Sequence, residues 1–256
     1  MIRGINKLLI KQIYNIYKRQ GLIDLSSYLV NSFNAVVNRH FFGSFSQKSE
    51  DLIIDKYFKH KREGFYIDIG ACHPKRFNNT KFFYDLGWHG INIEPNPTRI
   101  KLFFQERQRD INLNIGIGTT RKKSVFYEIE ATGLSTFSKK EAESLLKIGY
   151  KLKRKIIIQM FRLEEVMKKY VKSDIDFMTV DAEAMDLEVL KSNSWDKYRP
   201  KLLCVETIDF IDLLTNTKVT THRKETISNY LFGKGYEEYF SNGLNTFYRD
   251  IQSKKN

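Results

Sequence analysis

The chain has 256 residues, of which 41% are hydrophobic, and it carries a formal charge of +13 at pH 7. This length accommodates one α/β domain with an appendage, and the apolar content suffices for a substantial core. No stretch approaches the roughly 18 apolar residues of a membrane span, and no signal peptide is recognisable, so we expect a cytoplasmic protein. Cys72 and Cys204 are the only cysteines, which favours buried free thiols in a reducing compartment over a disulfide or a metal site.

Residues 1–50 predict a basic helical extension. Six aliphatic residues recur at roughly helical spacing between positions 2 and 16, and residues 1–48 contain seven Lys and Arg against Asp24 alone, which leaves +6. This amphipathic basic pattern is typical of contact with an anionic membrane surface, and a helical cap on the core is the alternative. We therefore separate the extension from a main domain over residues 51–256.

From residue 51 onward, predicted strands and helices alternate, which indicates an α/β fold with a mostly parallel sheet. A residue among Asn78, Asn79 and Thr80 is expected to cap the helix after the first strand, Gly87 to end it, and Asn96 to cap the next helix. The further strands are expected at 111–117, 125–129, 156–160, 175–181 and 201–206, the further helices at 140–147, 162–170, 185–191 and 221–231, and a terminal hairpin at 236–248. The segment from 125 to 147 interrupts the alternation and is interpreted as an insertion near the mouth of the site.

The most informative motif follows the first strand. The sequence Phe65-Tyr66-Ile67-Asp68-Ile69-Gly70 leads an apolar strand into Asp-x-Gly, where Gly permits a tight turn beside a ligand, although a simple strand-to-loop turn has the same pattern. Glu94 closes the second strand, where a carboxylate can accept hydrogen bonds from two ribose hydroxyls. His73-Pro74 stands in place of the third glycine of the dinucleotide fingerprint. The pattern therefore favours S-adenosylmethionine, a nucleoside without phosphate, over NAD or FAD.

In their order and spacing, these motifs resemble the FkbM family of S-adenosylmethionine-dependent methyltransferases over about residues 65–249. The resemblance implies a class I methyltransferase fold, with a Rossmann-like, mostly parallel sheet and a terminal antiparallel hairpin that an ordinary NAD-binding domain lacks. The segments that carry it are Tyr66–Ala71, Asn79-Thr80, Gly87–Pro97, Asn114-x-Gly116-Ile117-Gly118, Ile175–Glu183, Glu188-Val189-Leu190, Arg199-Pro200-Lys201 and Asn245-Thr246. Two positions depart from the family: Ala184 follows Glu183 where Gly is usual and is expected to narrow the pocket, and His73-Pro74 replaces a polar-Gly pair.

The resemblance also assigns cofactor contacts. A sulfonium cation in a partly desolvated cleft needs a counter-charge, which carboxylates supply. The implied contacts are Asp68 and Gly70 on the methionine and ribose side, Glu94 at the ribose hydroxyls, and Asn114 or Gly116 near the adenine. Ala71 and Asp181 are also expected to contact the cofactor.

The implied reaction is SN2 methyl transfer, whose rate comes chiefly from holding the reacting atoms in line. A hydroxyl acceptor loses its proton as the methyl arrives, so a base within about 3 Å is useful. Asp181, Glu183 and His73 are the candidate bases, and Glu183 is favoured. A cap on the helix near Met185 is the alternative for the acidic pair. Two carboxylates without a third ligand do not make a metal site, so no metal requirement is expected.

The leading hypothesis is an O-methyltransferase that modifies a hydroxyl of a bacterial surface glycan or its lipid-linked precursor, with residues 1–48 in peripheral contact with the inner membrane. The positive charge suggests a nucleic-acid-binding protein or RNA methyltransferase as the alternative. However, no nucleic-acid-binding motif is recognisable and no aromatic residues interleave a basic stripe, so no nucleic-acid partner is expected. A NAD-dependent enzyme is disfavoured by the missing glycine and by the terminal hairpin.

Overall fold

The structure is a computed structural model, and it describes residues 39, 43–130, 133–147, 149–208, 211–212, 217–218 and 222–252. Most of the predicted extension over residues 1–50 lies outside the described residues, so its helices stay a prediction. No helix in these described ranges is long and apolar enough to cross a bilayer.

The described chain alternates between strands and helices. The strands are β1 (Phe65–Ile69), β2 (His89–Ile93), β3 (Ile111–Leu113), β4 (Gly116–Ile117), β5 (Lys122–Ile129), β6 (Leu152–Phe161), β7 (Phe177–Val180), β8 (Leu202–Glu206), β9 (Ile211–Asp212), β10 (Thr217–Lys218), β11 (Tyr236–Ser241) and β12 (Asn245–Asp250). The helices are α1 (Glu50–Tyr57), α2 (Lys81–Leu86), α3 (Pro97–Glu106), α4 (Lys139–Lys147), α5 (Leu163–Tyr170), α6 (Asp186–Lys191) and α7 (Arg223–Phe232).

Seven strands form the central sheet in the order β3-β2-β1-β7-β8-β12-β11. The neighbouring strands β3, β2, β1, β7 and β8 are parallel, whereas β12 runs antiparallel to both β8 and β11. This arrangement confirms the predicted mostly parallel sheet with a terminal antiparallel hairpin. Because β2 and β7 lie on opposite sides of β1, the loops after these strands diverge and leave a crevice at their carboxyl ends.

Both faces of the sheet are buried. On β1, Phe65, Ile67 and Ile69 join one apolar cluster and Tyr66 joins the other, as the alternation of side chains along a strand requires. The first cluster continues into α5, α6 and α7, and the second into α1 and α2. The same alternation places Asp68 on the face of Tyr66, where its carboxylate is buried.

The predicted third strand at 111–117 is wrong as a single element. Its first half is β3 in the central sheet, and its second half is β4 in a separate sheet of order β4-β6-β5. The chain turns between them because the Asn114 side chain donates hydrogen bonds to the carbonyls of Glu94 and Pro95, at 2.9 and 2.8 Å. The expected insertion at 125–147 contains most of β5 and all of α4, and the strand predicted after it, β6, pairs antiparallel with β5. The helix caps also agree with prediction, since the Asn96 side chain accepts from the Thr98 amide.

Candidate functional site

Four carboxylates gather at the carboxyl edge of the sheet. Asp68 lies in β1, Glu94 directly follows β2, Asp181 directly follows β7, and Glu206 ends β8. Because these strands are parallel neighbours, their ends bring the four side chains to one crevice. The crevice is therefore acidic, which suits a ligand that carries positive charge and donates hydrogen bonds.

Gly70 allows the turn after β1 to pack closely against the backbone of the segment after β7. Its φ is +82°, in the left-handed region, and a Cβ there would lie 1.7 Å from the Asp181 carbonyl oxygen. The Asp181 amide in turn donates to the Ile69 carbonyl at 2.9 Å. The sequence motif suggested that position 70 needs glycine for a close approach to a ligand. The structure shows that the backbone after β7 lies so close that glycine is required there without any ligand.

Asp68 is bonded to the loop that follows it. Its Oδ2 accepts from Asn78 Nδ2 at 3.1 Å and from Thr80 Oγ1 at 2.9 Å. The fully buried Arg107 donates to Asn78 Oδ1 at 2.7 Å and to the Pro74 carbonyl at 2.9 Å, so both ends of the loop are held. Burial raises the pKa of Asp68 to about 6 against the lowering effect of these bonds. Asp68 thus shapes the loop, and its direct contact with a cofactor stays a prediction.

Glu94 has the geometry expected of a ribose anchor. Its Oε2 accepts from the Cys72 amide at 2.9 Å and its Oε1 from the Asn96 amide at 2.7 Å, which fixes the carboxylate between two loops. Burial raises its pKa to about 7, against the opposing effects of Arg99 and the two amides. Since each carboxylate oxygen can accept more than one hydrogen bond, two ribose hydroxyls can still be bound.

The other predicted cofactor contacts divide into two groups. Ala71 is buried after the Gly70 turn, and Asn114 braces the loop after Glu94, so both border the crevice. Gly116 instead faces the insertion, because a Cβ there would lie 2.6 Å from the Phe137 ring. The predicted contact of Gly116 with the adenine therefore stays a prediction, and the sequence motifs did not identify the packing of Gly116 against the insertion.

Asp181, Glu183 and Glu206 form a carboxylate cluster, in which one oxygen of each lies within 4.8 Å of the others. Asp181 is exposed on its crevice side, whereas the surrounding protein excludes water from the other sides of its carboxylate. This desolvation and the neighbouring carboxylates raise the pKa values of Asp181 and Glu183 well above their usual range. The pKa of Glu206 is raised to about 7, mainly by burial. The expectation that no third carboxylate is present was wrong, because Glu206 supplies it.

Arg223 compensates one side of this cluster. Its guanidinium donates to Glu206 Oε2 at 3.0 Å and also to Asp186, whose other oxygen accepts from the Ala182 amide at 2.9 Å. Arg223 therefore lies between two carboxylates, and the motifs identified in the sequence did not include it. Asp181 and Glu183 have no such direct partner among the bonds recorded for the described residues, so they are the members of the cluster placed to take up a proton.

The turn that carries Glu183 is strained and tied to the insertion. Glu183 and Ala184 have φ values of 49° and 73°, a left-handed conformation that costs non-glycine residues about 1 kcal/mol each. The family's usual glycine at position 184 would avoid this cost. Thr136 Oγ1 donates to the Glu183 carbonyl at 2.8 Å. Met185 rather than Asp181 or Glu183 is the N-cap residue of α6, and it makes no side-chain cap bond.

His73 lies in a basic environment. Partial burial, followed by the nearby Arg76, Arg99 and Lys75, lowers its pKa to about 4. The Lys75 amide also donates to Nδ1 at 3.0 Å, which occupies that lone pair. A weakly basic imidazole is a poor proton acceptor, so the structure favours Glu183 and Asp181 over His73 as the base.

Two cavities are described away from the carboxylates. The larger, about 450 Å³, lies at the amino edge of the sheet and is lined by Phe65, His89, Asp176 and Lys201 among others. Asp176 is bonded there to Lys61 at 2.8 Å and to Lys201 at 3.1 Å, so its charge is already compensated. The smaller, about 110 Å³, adjoins the insertion. We assign the chemistry to the carboxyl edge because only that edge combines Glu94 with the carboxylate cluster.

The affinity for S-adenosylhomocysteine is expected to rise about tenfold from about pH 6 to about pH 8. The pKa of Glu94 is about 7, above its ordinary 4.5, so the carboxyl group is mostly protonated at the lower pH. It must ionise before it can accept hydrogen bonds from both ribose hydroxyls. Calorimetric titration across this range measures the effect, and Glu94→Gln, which cannot ionise, is expected to bind more weakly and with a flatter profile. A wild-type affinity that does not change with pH would contradict this role of Glu94.

In comparison with known proteins, residues 68–237 match the family model of the methyltransferase FkbM domain. A crystal structure of methyltransferase FkbM from Methylobacillus flagellatus KT is similar, with a TM-score of 0.43 and 11% identity; the match covers 94% of this chain but 58% of that one. The METTL16 methyltransferase domain gives a TM-score of 0.42, 10% identity and coverages of 97% and 94%. No curated protein matches.

A third similar structure contains ligands. It is the Burkholderia thailandensis 1,6-didemethyltoxoflavin-N1-methyltransferase with bound 1,6-didemethyltoxoflavin and S-adenosylhomocysteine, with a TM-score of 0.39, 10% identity and coverages of 89% and 88%. The family assignment rests on the family model, whose range begins at Asp68, ends in β11 and contains all the carboxylates described above. The chain belongs to the FkbM family of methyltransferases, and its cofactor is S-adenosyl-L-methionine.

Proposed function

We propose that the protein transfers a methyl group to a hydroxyl oxygen of a bacterial surface glycan or of its lipid-linked precursor. The choice of oxygen as the acceptor atom is supported by the cluster of Asp181, Glu183 and Glu206. A sugar hydroxyl is a weak acid and must lose its proton during transfer, whereas a neutral nitrogen already offers a lone pair. A carboxylate whose pKa is raised is a stronger base than an ordinary one, and Asp181 and Glu183 meet that need.

The cofactor site fits a cationic nucleoside. When bound, S-adenosyl-L-methionine supplies an electrophilic methyl group on a sulfonium centre. Glu94 would hold the ribose by accepting hydrogen bonds from its hydroxyls, and Asp68 holds the loop on the methionine side through Asn78 and Thr80. The negative charge of Asp181 favours a cation in the crevice.

Glu183 takes the proton of the acceptor hydroxyl as the oxygen–methyl bond forms and the methyl–sulfur bond breaks, with S-adenosylhomocysteine as the leaving group. Desolvation, followed by repulsion from Asp181 and Glu206, raises the pKa of Glu183 and so makes uptake of a proton by this carboxylate favourable. Arg223 neutralises Glu206 from the opposite side, so the proton is directed to Glu183. The tether from Thr136 keeps the Glu183 turn in place during this transfer.

Two observations support a large anionic acceptor. Asp181 opens onto solvent, so a hydroxyl on a bulky molecule can reach the cluster without entering an enclosed pocket. Residues 119–161, which contain the insertion, carry ten Lys and Arg against four Glu, which leaves +6 beside the crevice. This charge complements the phosphates of a lipid-linked glycan precursor.

Incubation with radiolabelled S-adenosyl-L-methionine and bacterial lipid-linked glycans is expected to place label in the glycan fraction. The label should survive mild alkaline hydrolysis, because a methyl ether is stable where a methyl ester is cleaved. Total RNA and a glycan whose hydroxyls have been acetylated are the comparison acceptors. Label in RNA would replace the proposal with the RNA methyltransferase alternative, and alkali-labile label would replace the hydroxyl with a carboxylate.

A further inference from the structure

The β5–β6 ribbon has one buried face and one open face. Paired residues of an antiparallel ladder share a face, and successive pairs alternate between faces. Phe126, Ile158 and Met160 are buried on the inner face. The intervening pairs define the ribbon outer face: Lys123 with Gln159, Val125 with Ile157, and Tyr127 with Lys155. Ile157 at its centre is 62% exposed, the largest exposed fraction among the large hydrophobic residues recorded as exposed.

The ribbon outer face contains two lysines and no carboxylate. Lys123 and Lys155 are exposed, and no ion pair is recorded for either within the described part of the chain. The Lys155 ammonium lies 5.7 Å from the centroid of the Tyr127 ring. The nearest acidic member of the ladder, Glu128, is buried and bonded to neighbouring basic side chains of β6. The positive charge of the outer face is therefore not compensated within the ladder.

The inner side of the ribbon contacts the functional site. Arg154 donates to Thr98 Oγ1 at 3.2 Å at the start of α3, and the segment between the two ribbon strands is bonded to the Glu183 turn through Thr136. The outer face lies on the side of the ribbon opposite its buried inner face. A surface bound there would lie beside the mouth of the crevice.

We infer that the ribbon outer face docks on an anionic lipid bilayer. The exposed Ile157, with the half-buried Val125 paired beside it, gains free energy when it enters the headgroup region, and the lysines at the ends of this face are attracted by anionic lipids. A nucleic acid would use the lysines but gains little from the aliphatic centre, and its bases need an exposed aromatic platform, whereas Tyr127 is half-buried. The inference goes beyond the proposed function, because docking requires neither the acceptor nor turnover.

Sedimentation of the full chain with vesicles tests the docking. The protein is expected to bind vesicles that contain phosphatidylglycerol and not vesicles of phosphatidylcholine alone. Reversing Lys123→Glu and Lys155→Glu together should weaken binding about tenfold or more, and Ile157→Ser should weaken it about threefold. Lys168→Glu with Lys172→Glu, a pair of exposed lysines at and after the end of α5, is the matched control for net charge and should change binding less than about twofold.

Equal vesicle binding by the ribbon variants and the control pair would overturn the inference. So would a loss of affinity for single-stranded RNA in the ribbon variants with vesicle binding unchanged, which would assign the face to nucleic acid. The affinity for S-adenosylhomocysteine is measured on every variant and is expected to stay unchanged, since neither lysine touches the crevice. This keeps a failure of docking distinguishable from a failure of methyl transfer.

Discussion

Gly70→Ala is expected to lower the free energy of unfolding by about 3 kcal/mol. The φ of +82° adds strain of about 1 kcal/mol for a residue with a Cβ. The new methyl carbon would also lie 1.7 Å from the Asp181 carbonyl oxygen, so one of the two backbones must shift. Both belong to the ends of β1 and β7, which are paired in the centre of the sheet, and displacement there opens the turn that carries the crevice. Urea unfolding measures the change.

Gly243→Ala is the matched control for this substitution. Gly243 has a φ of +83°, nearly that of Gly70, but a Cβ at this position would have no other atom within 4 Å. Backbone strain alone then predicts a loss of about 1 kcal/mol. Equal losses for Gly70→Ala and Gly243→Ala would contradict the steric role assigned to the chain after β7.

Glu183→Gln is expected to slow methyl transfer by about a hundredfold to ten-thousandfold. The amide is nearly isosteric with the carboxylate but cannot take the proton of the acceptor hydroxyl. Cofactor affinity should change by less than about threefold, because we expect Glu94 rather than Glu183 to bind the ribose. Transfer of label at saturating S-adenosyl-L-methionine, together with calorimetric titration of S-adenosylhomocysteine, separates these two effects.

Glu164→Gln serves as the control for loss of a negative charge, since Glu164 is half-buried on α5, away from the crevice, and is paired with Arg162 at 2.8 Å. The wild-type rate should rise with pH as the cluster loses its protons, since burial and mutual repulsion hold the pKa values of Asp181 and Glu183 above their usual range. A full rate in Glu183→Gln would remove this residue from the chemistry and transfer the role of base to Asp181.

A chelator decides whether the cluster works as a base alone. No metal requirement was expected from the sequence because Asp181 and Glu183 lacked a clear third ligand. Glu206 supplies a third carboxylate beside them. Three carboxylate oxygens are ligands that Mg²⁺ accepts, although the same three groups can instead share a proton. Activity unaffected by chelation would support the base. Activity lost on chelation and restored by Mg²⁺ would make the cluster a cation site.

The fold followed from patterns that are local in the chain. Apolar runs that end in Asp68-x-Gly70 and in Glu94, each followed by a helix signal, specify parallel strands whose carboxyl ends meet, and the structure has this arrangement. The Asn242-Gly243 turn likewise indicated the terminal hairpin. These predictions succeeded because strand alternation, helix capping and turn chemistry each depend on a few neighbouring residues.

The contacts that the sequence did not reveal join distant positions. Arg223 reaches Asp186 across 37 residues, and Arg107 reaches Asn78 across 29, so no local spacing marks either pair. The break between β3 and β4 was missed for a related reason. It depends on Asn114 bonding back to the carbonyl of Glu94 twenty positions earlier, whereas the apolar pattern continues through the break.

Calorimetric titration of the full chain with S-adenosylhomocysteine, beside Glu94→Ala and an NAD control, tests the cofactor site most directly. We expect binding by the wild type at a pH above the pKa of Glu94, at least about tenfold weaker binding by the variant, and no response to NAD. Binding of NAD, or equal affinity of Glu94→Ala and the wild type for S-adenosylhomocysteine, would contradict the assignment of this crevice as the methyl-donor site.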